Sequence, residues 1–305
     1  MRIIITGPTG AIGHALIELC ISKGIEVLAI CHRSSTRISQ LPSSELVKVI
    51  ELDADEYYEY EPDNTLPFDV FYHFAWGGTT GASRNDTDAQ MRNIQYALDA
   101  VRLAQRFGCN TFIGAGSQAE YGRTSEDLKP GTPVHPENGY GIAKLCAGQM
   151  TRLLCNQLGI RHIWTRILSV YGPYDGENSM IISAIRKMIA GEQVQFTAGE
   201  QIWDYLYSSD AASAMLLIGQ KGICGKTYIV SSGNCRRLKE YIEIIINVVN
   251  PDIKPVIGGV PYSDKQVMYL CGDISELTED TGFVPSMSFD EGIQKVADYV
   301  RSTVF

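Results

Sequence analysis

No apolar run in this 305-residue chain approaches the ~20 residues needed to span a bilayer, so a membrane-embedded protein is not expected. The first residues already read as a strand, and no charged segment, apolar stretch and cleavage site precede it as in a secretory signal. Positive charge is scarce. Lys and Arg number 26 against 35 Asp and Glu, a net charge of -9, and Arg236-Arg237 is too short to form a patch for nucleic acid. The eight cysteines form no C-x-x-C pair and the five histidines show no metal-ligand spacing, so no metal site is expected. The cysteines read as reduced thiols of a cytoplasmic protein. Internal repeats and low-complexity segments are absent. What remains is a composition with 45% hydrophobic and 20% charged residues, enough to bury one or two ordinary globular cores.

Against these absences, glycine is placed with order. Residues 2–6, Arg-Ile-Ile-Ile-Thr, form a short β-branched run that predicts a buried strand. Ile12, Leu16, Ile17 and Leu19 follow at helical spacing, and Gly24 stands where that helix should stop. Gly7, Gly10 and Gly13 therefore occupy a strand-to-helix turn. Such glycines permit a tight turn, let backbone approach a pyrophosphate, and let the helix pack on the strand; the unpaired N–H groups of the helix N-terminus then face the anion. A nucleotide site is expected here.

Strand and helix patterns alternate onward. Strands are predicted at 25–31, 46–53, 68–76, 109–117 and 161–173, with helices over about 85–107 and 140–158. This rhythm implies crossover connections and a parallel sheet covered on both faces. After Pro173 it becomes mixed: helices near 178–191, 210–220, 236–249, 274–281 and 289–302, and short strands in QVQFTAG, QIWDYLY and KTYIV. We divide the chain into a dinucleotide-binding domain at 1–173, with returning segments about 203–232, and a smaller lobe formed mainly by 174–202 and 233–305. A ligand between them would lie at the C-terminal strand ends.

Two features carry chemistry. Tyr140 and Lys144 lie four apart on a predicted helix, so phenol and ammonium share one face. A nearby ammonium favours phenolate and should lower the tyrosine pKa toward working pH. Ser117 ends a predicted strand, where its hydroxyl can bond the same substrate oxygen as Tyr140.

With these residues the chain resembles the extended short-chain dehydrogenase/reductases that act on nucleotide sugars. T-G-x-x-G-x-x-G stands as Thr6 to Gly13 and Y-x-x-x-K as Tyr140 to Lys144. H-x-A-A stands as His73-Phe74-Ala75-Trp76, and S-x-x-x-Y-G as Ser117 to Gly122. R-x-x-N-x-Y-G-P stands as Arg166 to Pro173 with Ser169 for Asn, and R-D-F-x-Y-V-x-D as Trp203 to Asp210 with Trp for Arg. The resemblance implies an α/β fold, a Rossmann-type doubly wound parallel sheet with a smaller mixed α/β substrate lobe.

It also implies hydride transfer between nicotinamide and a sugar carbon. Tyr140 would exchange the proton, Lys144 would tune it and hold the ribose, and Ser117 would orient the oxygen. Cofactor contacts are implied at Thr6, Gly7, Thr9, Gly10, Ala11, Ile12 and Gly13, at Arg33, Asp53 and Ala54, and at Phe74, Ala75 and Trp76. Asn93, Ala115, Tyr140, Lys144 and Ile167 complete that set, Asn93 as a support of the Lys through water or backbone. Substrate contacts are implied at Trp76, Ser117, Gln118, Asn178 and Trp203, while His73 is expected in the core. Trp203 and Ser263 stand where an Arg often meets phosphates in the family, which weakens transfer of substrate contacts. Family members commonly pair through two helices, so a homodimer is expected, with Ala97, Leu98, Ala100, Val101 and Ala104 spread over more than one face of the first.

The second strand ends Cys31-His32-Arg33-Ser34-Ser35 without the acid that accepts from a ribose 2′-OH. Arg33 suits a 2′-phosphate, so NADP(H) is expected, NAD(H) being the alternative. The family's 4,6-dehydratases carry an Asp-Glu pair just after the catalytic Ser/Thr. Here Gln118 and Ala119 stand there, and Glu120 reads as structural. The expected activity is NADP(H)-dependent reduction of a 4-keto-6-deoxy sugar nucleotide. Two alternatives remain: a nucleotide-sugar 4-epimerase with retained NAD(P), and an NADP(H)-binding regulatory protein without turnover.

Overall fold

The computed structural model describes residues 1–63 and 66–304. The chain opens with β1 (Arg2–Thr6), α1 (Ala11–Ser22), β2 (Glu26–Cys31), β3 (Val47–Glu51), β4 (Val70–His73), α2 (Thr87–Arg106) and β5 (Thr111–Ser117). Next come α3 (Gly139–Leu158), β6 (Arg161–Ile167), β7 (Ser169–Tyr171), α4 (Met180–Ile189), β8 (Gln195–Phe196), β9 (Ile202–Tyr207) and α5 (Ser208–Lys221). The rest holds β10 (Thr227–Val230), β11 (Cys235–Arg237), α6 (Leu238–Val249), β12 (Val256–Ile257), β13 (Tyr269–Leu270), α7 (Ser275–Thr281) and α8 (Phe289–Val304).

Seven strands form one parallel sheet in the order β10-β6-β5-β4-β1-β2-β3. The order reverses between β1 and β4, paired from Ile3↔Val70 to Thr6↔His73, and a crevice opens beyond their C-terminal ends. The unbroken apolar run of β1 follows from burial on both faces. Ile3 and Ile5 pack with Leu16 and Ile17 of α1 and Met215 and Ile218 of α5. Ile4 faces the opposite side, among Phe71, Phe112, and Val101 and Leu103 of α2.

A second sheet has β9 at its centre, flanked by antiparallel β11, and by parallel β13 and β7. A two-stranded pair, β12 with β8, lies apart from it. The lobe has its own core, where Ile181, Ile185 and Met188 of α4 meet Ile242 and Ile245 of α6 and Ile293 and Val296 of α8. Of the segment 203–232, α5 and β10 return to the seven-stranded sheet while β9 belongs to the second. Among the described residues no helix is long and apolar enough to cross a membrane, and no group of His, Cys, Asp and Glu could hold a metal ion.

Three expectations are corrected. The single strand expected over 161–173 is two strands in different sheets. The chain leaves the large sheet after Leu168, whose N–H still bonds Val230 O, and β7 then pairs with β9. The cysteines are not all reduced: Cys235 and Cys271 are joined in a disulfide, and six others are free. β11 and β13 flank β9, which brings the two cysteines within 5.8 Å between Cα atoms despite 36 residues of separation. Lastly, of the α2 residues named for pairing, Ala97, Ala100, Val101 and Ala104 are fully buried within the chain and offer no face to a partner, while Leu98 is half-buried. The exposed apolar side chains of the α2–α3 layer are Met91, Ile142, Met150 and Leu153.

Candidate active site

The glycine turn lies at the crevice. Gly7 has φ +67°, and a Cβ there would meet Ala75 N at 2.8 Å. A Cβ on Gly13 would stand 2.6 Å from Gly7 O, so α1 can lie against the turn only without a side chain. Gly10 differs: its Cβ would find only Gly7 O at 3.8 Å and would otherwise project into open space. Gly10 is the N-cap of α1, no side chain caps that helix, and its first turn holds no acid. Open space before uncapped N–H groups fits a pyrophosphate. Thr9, Ala11 and Ile12 lie in the same turn and helix start.

A cleft of ≈ 450 Å³ beside the turn is lined by Gly7, His32, Asp53, Ala54, Ala75 and Trp76, with His73, Gly77, Asn93 and Tyr96 among the rest. Its volume and its place at the strand ends fit an adenosine and ribose. Thr6 Oγ1 lies 2.9 Å from His73 Nδ1 and accepts from Ala75 N. His73 is buried as expected, and burial followed by the nearby Lys144 charge pushes its pKa down to about 3. Its Nε2 is buried without a hydrogen-bond partner among the described residues. Phe74, half-buried, packs against the core beneath. The Asn93 amide clamps Gly77, accepting from N at 3.0 Å and donating to O at 2.9 Å.

Arg33 is not left open for a phosphate. Glu56 binds its guanidinium from both carboxylate oxygens at 2.7 and 2.8 Å, and Asp53 accepts from its backbone N. Sequence reasoning did not see Glu56, which lies 23 residues away and reaches Arg33 only because β2 and β3 are neighbours. Arg37, on the same loop, donates to Tyr174 O.

The strand and helix ends bring Ser117, Tyr140 and Lys144 together. Ser117 closes β5, and its backbone N–H is fixed by the buried Glu120 carboxylate at 2.8 Å. Asn138 caps α3 through Gly141 N, which starts the helix just before Tyr140. Lys144, one turn on, is buried and donates to Ala115 O at 2.6 Å. Its ammonium also lies 3.7 Å over the Trp76 ring, while Trp76 meets the Tyr140 ring edge-on. Burial lowers the Lys144 pKa to about 7, with Glu120 opposing.

The expected depression of the Tyr140 pKa by Lys144 is not found. Burial raises it, while a hydrogen bond with Ser117 and then the charge of Arg84 pull it down. Arg84 was missed. Its guanidinium lies 4.6 Å over the Tyr140 ring, and its only signal in the sequence is a single cation in the small, polar stretch Gly77–Asp86 between a strand and a helix.

Gln118 and Ala119 follow Ser117, and neither can exchange a proton with substrate. Glu120 is engaged by Arg166 Nε at 2.7 Å and Trp164 Nε1 at 3.0 Å and is 1% exposed. Ile167 ends β6 beside Ser117. Trp203 lies farther off, in a cavity of ≈ 290 Å³ with Phe196, Tyr205 and Leu238, and donates to Ser169 Oγ at 2.8 Å. Two of the positions that depart from the family pattern, Ser169 and Trp203, thus bond each other. Asn178 is exposed just before α4.

The profile of the NAD dependent epimerase/dehydratase family matches residues 3–231. A dTDP-glucose 4,6-dehydratase of Xanthomonas campestris pv. campestris is 24% identical, the match covering 97% of this chain and 92% of that one. A CDP-abequose synthase of Salmonella typhimurium is 25% identical over 96% of each. Among solved structures, a UDP-N-acetylglucosamine 4-epimerase from Methanobrevibacter ruminantium superposes with a TM-score of 0.87 at 23% identity, over 99% of this chain and 98% of that one. A UDP-glucose 4-epimerase from Thermotoga maritima gives 0.85 at 22% over both whole chains. With the glycine turn, the strand order and a match over most of its length, this chain belongs to the NAD dependent epimerase/dehydratase family.

Proposed function

We propose that the protein reduces the 4-keto group of a 6-deoxy sugar nucleotide with NADP(H), Ser117 and Tyr140 binding the reacting oxygen and Tyr140 giving it a proton. One observation carries this reading: Ser117, Tyr140 and Lys144 converge, and among the described residues no second acid–base pair stands beside them. Gln118 and Ala119 cannot supply one, and Glu120 is locked by Arg166. Dehydration, which needs a further acid and base, is thereby disfavoured. Of the three printed activities among the relatives, dehydratase, synthase and epimerase, the last two are compatible with a single tyrosine.

The bound dinucleotide supplies the hydride. The chain's own residues do the rest. The uncapped start of α1 receives the pyrophosphate. Lys144 sits where its ammonium can steady a ribose and replenish the Tyr140 proton, and its pKa near 7 suits that exchange. Ser117, held by Glu120, keeps the substrate oxygen within reach of the phenol. The aromatic cavity of Phe196, Trp203 and Tyr205 is the proposed seat of the base, with Asn178 at its approach. The lobe of 174–202 and 233–305 is thus the proposed substrate lobe.

NADP(H) is supported by the end of β2, where no acid follows Cys31 and Ser34 and Ser35 stand beside Arg33; a 2′-phosphate would have to draw that guanidinium away from Glu56. A second reading, a 4-epimerase that retains its dinucleotide, is favoured by the grip of Glu56 on Arg33. We also propose a homodimer through Met91, Ile142, Met150 and Leu153, and a cytoplasmic setting, supported by six unpaired thiols. The experiment is turnover of NADPH with a panel of 4-keto nucleotide sugars, beside incubation of the dinucleotide-loaded protein with the 4-hydroxy nucleotide sugars. Stoichiometric oxidation supports reduction. Interconversion of two sugar nucleotides without net oxidation supports the second reading, and neither outcome leaves a binder without turnover.

A further inference from the structure

We propose that Arg84, with Lys265 in the same cavity, forms an anion subsite beside Tyr140 that receives a negatively charged oxygen group of the substrate. The inference rests on Tyr140 being the reactive centre. A cavity of ≈ 440 Å³ is lined by Arg84, Asn85, Gln118, Asn138, Arg123 and Lys265, with Glu137 the one carboxylate among the lining residues. Glu137 is taken by Arg123 at 2.8 and 3.0 Å. Among the described residues neither Arg84 nor Lys265 has a carboxylate within ion-pair distance. A chain of net charge -9 therefore keeps Arg84, a cation without an ion pair, against its candidate catalytic tyrosine, with Lys265, whose charge also acts on Glu137, in the same cavity.

Arg84 is also placed by its surroundings. Its turn, Gly81–Asn85, is fastened to α3 by Gly139 N donating to Asn85 Oδ1 at 3.0 Å. It is fastened to α2 by the Asp86 cap on Ala89 N and by Gln90 donating to Ser83 O. The guanidinium spends its face on the Tyr140 ring, and its in-plane N–H groups have no hydrogen-bond partner among the described residues. This arrangement leaves a fork that matches a carboxylate or phosphate. The neighbouring cavity of Phe196 and Trp203 has no cation in its lining. The segment 260–267 borders both, giving Val260 and Gln266 to one and Ser263, Lys265 and Val267 to the other. A substrate lying along the cleft would meet aromatic rings at one end and positive charge at the other. The charge would be a carboxylate on the sugar or a phosphate linking it.

The test is calorimetric titration of the dinucleotide-loaded protein, as wild type, Arg84→Gln and Arg84→Lys. The probes are inorganic pyrophosphate, UDP-glucose and UDP-glucuronic acid. The subsite predicts a loss of about tenfold or more in affinity for at least one probe in Arg84→Gln, the worth of one charge-assisted contact, with partial recovery in Arg84→Lys. Loss confined to UDP-glucuronic acid identifies a sugar carboxylate; loss shared by all probes identifies a phosphate. If neither sugar nucleotide binds the wild type while pyrophosphate binds through Arg84, the nucleotide-sugar reading fails and the subsite stands. If no probe's affinity depends on Arg84, the subsite is overturned, even where turnover falls, since Arg84 then acts only on the ionisation of Tyr140.

Discussion

Glu120→Gln separates a structural carboxylate from a catalytic one. Glu120 follows Ser117 by three residues, close enough to be mistaken for an acid–base group. In the structure its oxygens are spent on Ser117 N, Trp164 Nε1 and Arg166 Nε. A glutamine keeps the volume and one acceptor for Ser117 N and Trp164, but turns an amide donor toward Arg166 or leaves that guanidinium without its counter-charge. Arg166 is nearly as buried as Glu120, and breaking such a pair costs about 3–5 kcal/mol. At roughly 2.1 cal/mol/K per residue, 305 residues give an unfolding entropy of about 0.64 kcal/mol/K, so Tm should fall by about 5–8 °C. The double variant Glu120→Gln with Arg166→Met should recover at least half of that, because the stranded charge is gone. Turnover at 25 °C should fall less than about tenfold, against the 10²–10⁴-fold loss expected for a general acid or base. Differential scanning calorimetry and steady-state rates on the same preparations decide. An unchanged Tm with a hundredfold loss of turnover would refute the reasoning and return dehydration to consideration.

Cofactor choice turns on Arg33: Arg33→Ala should shrink the preference for NADPH over NADH, and Glu56→Gln should widen it by about tenfold, one charge-assisted contact. Equal affinities in the unmodified protein, by titration, would remove the NADP(H) reading. Folding should be acid-sensitive through His73. Its folded pKa near 3 lies below the unfolded value of about 6.5, so its contribution is complete above pH 6.5 and is lost as pH falls toward 3. Urea unfolding should show a drop from pH 7 to 4.5 that is about 2–3 kcal/mol smaller in His73→Gln than in wild type; equal drops would contradict the assigned burial. Light scattering should give twice the chain mass of 33.6 kDa, and Leu153→Glu should return it to the single-chain value; a wild-type monomer at micromolar concentration would end the dimer proposal.

The parallel sheet was legible because β1, β2, β4 and β5 are short apolar runs separated by helices with a 3.6-residue pattern, and because glycines mark the first turn. Tyr140, Lys144 and Ser117 were legible because spacing along a helix and position at a strand end are local facts. Tertiary partners were not. Residues 161–173 read as one strand, since nothing in Ile167-Leu168-Ser169 announces that pairing passes from β10 to β9. Arg33 read as an open cation, since Glu56 joins it only across adjacent strands. Cys235 and Cys271 carry no spacing signal, being joined by the flanking of β9. The apolar residues of α2 announced burial but not against what; the fold spends Ala97, Ala100 and Val101 inside the chain and leaves Met91 outside. Arg84 stood in a loop, where no periodicity speaks for a side chain's direction.

The central claim is hydride delivery to a sugar carbon with Tyr140 as proton donor. The most direct test is single turnover of NADPH carrying two deuteriums at C4, [4,4-²H₂]NADPH, with a 4-keto nucleotide sugar, comparing wild type with Tyr140→Phe and reading deuterium in the product by mass spectrometry and NMR. The account predicts one deuterium at C4 of the sugar per cofactor oxidised. It also predicts that Tyr140→Phe binds NADPH nearly as well but transfers roughly 10²–10⁴-fold more slowly. Absence of deuterium from the sugar, or transfer at the wild-type rate by Tyr140→Phe, would contradict it.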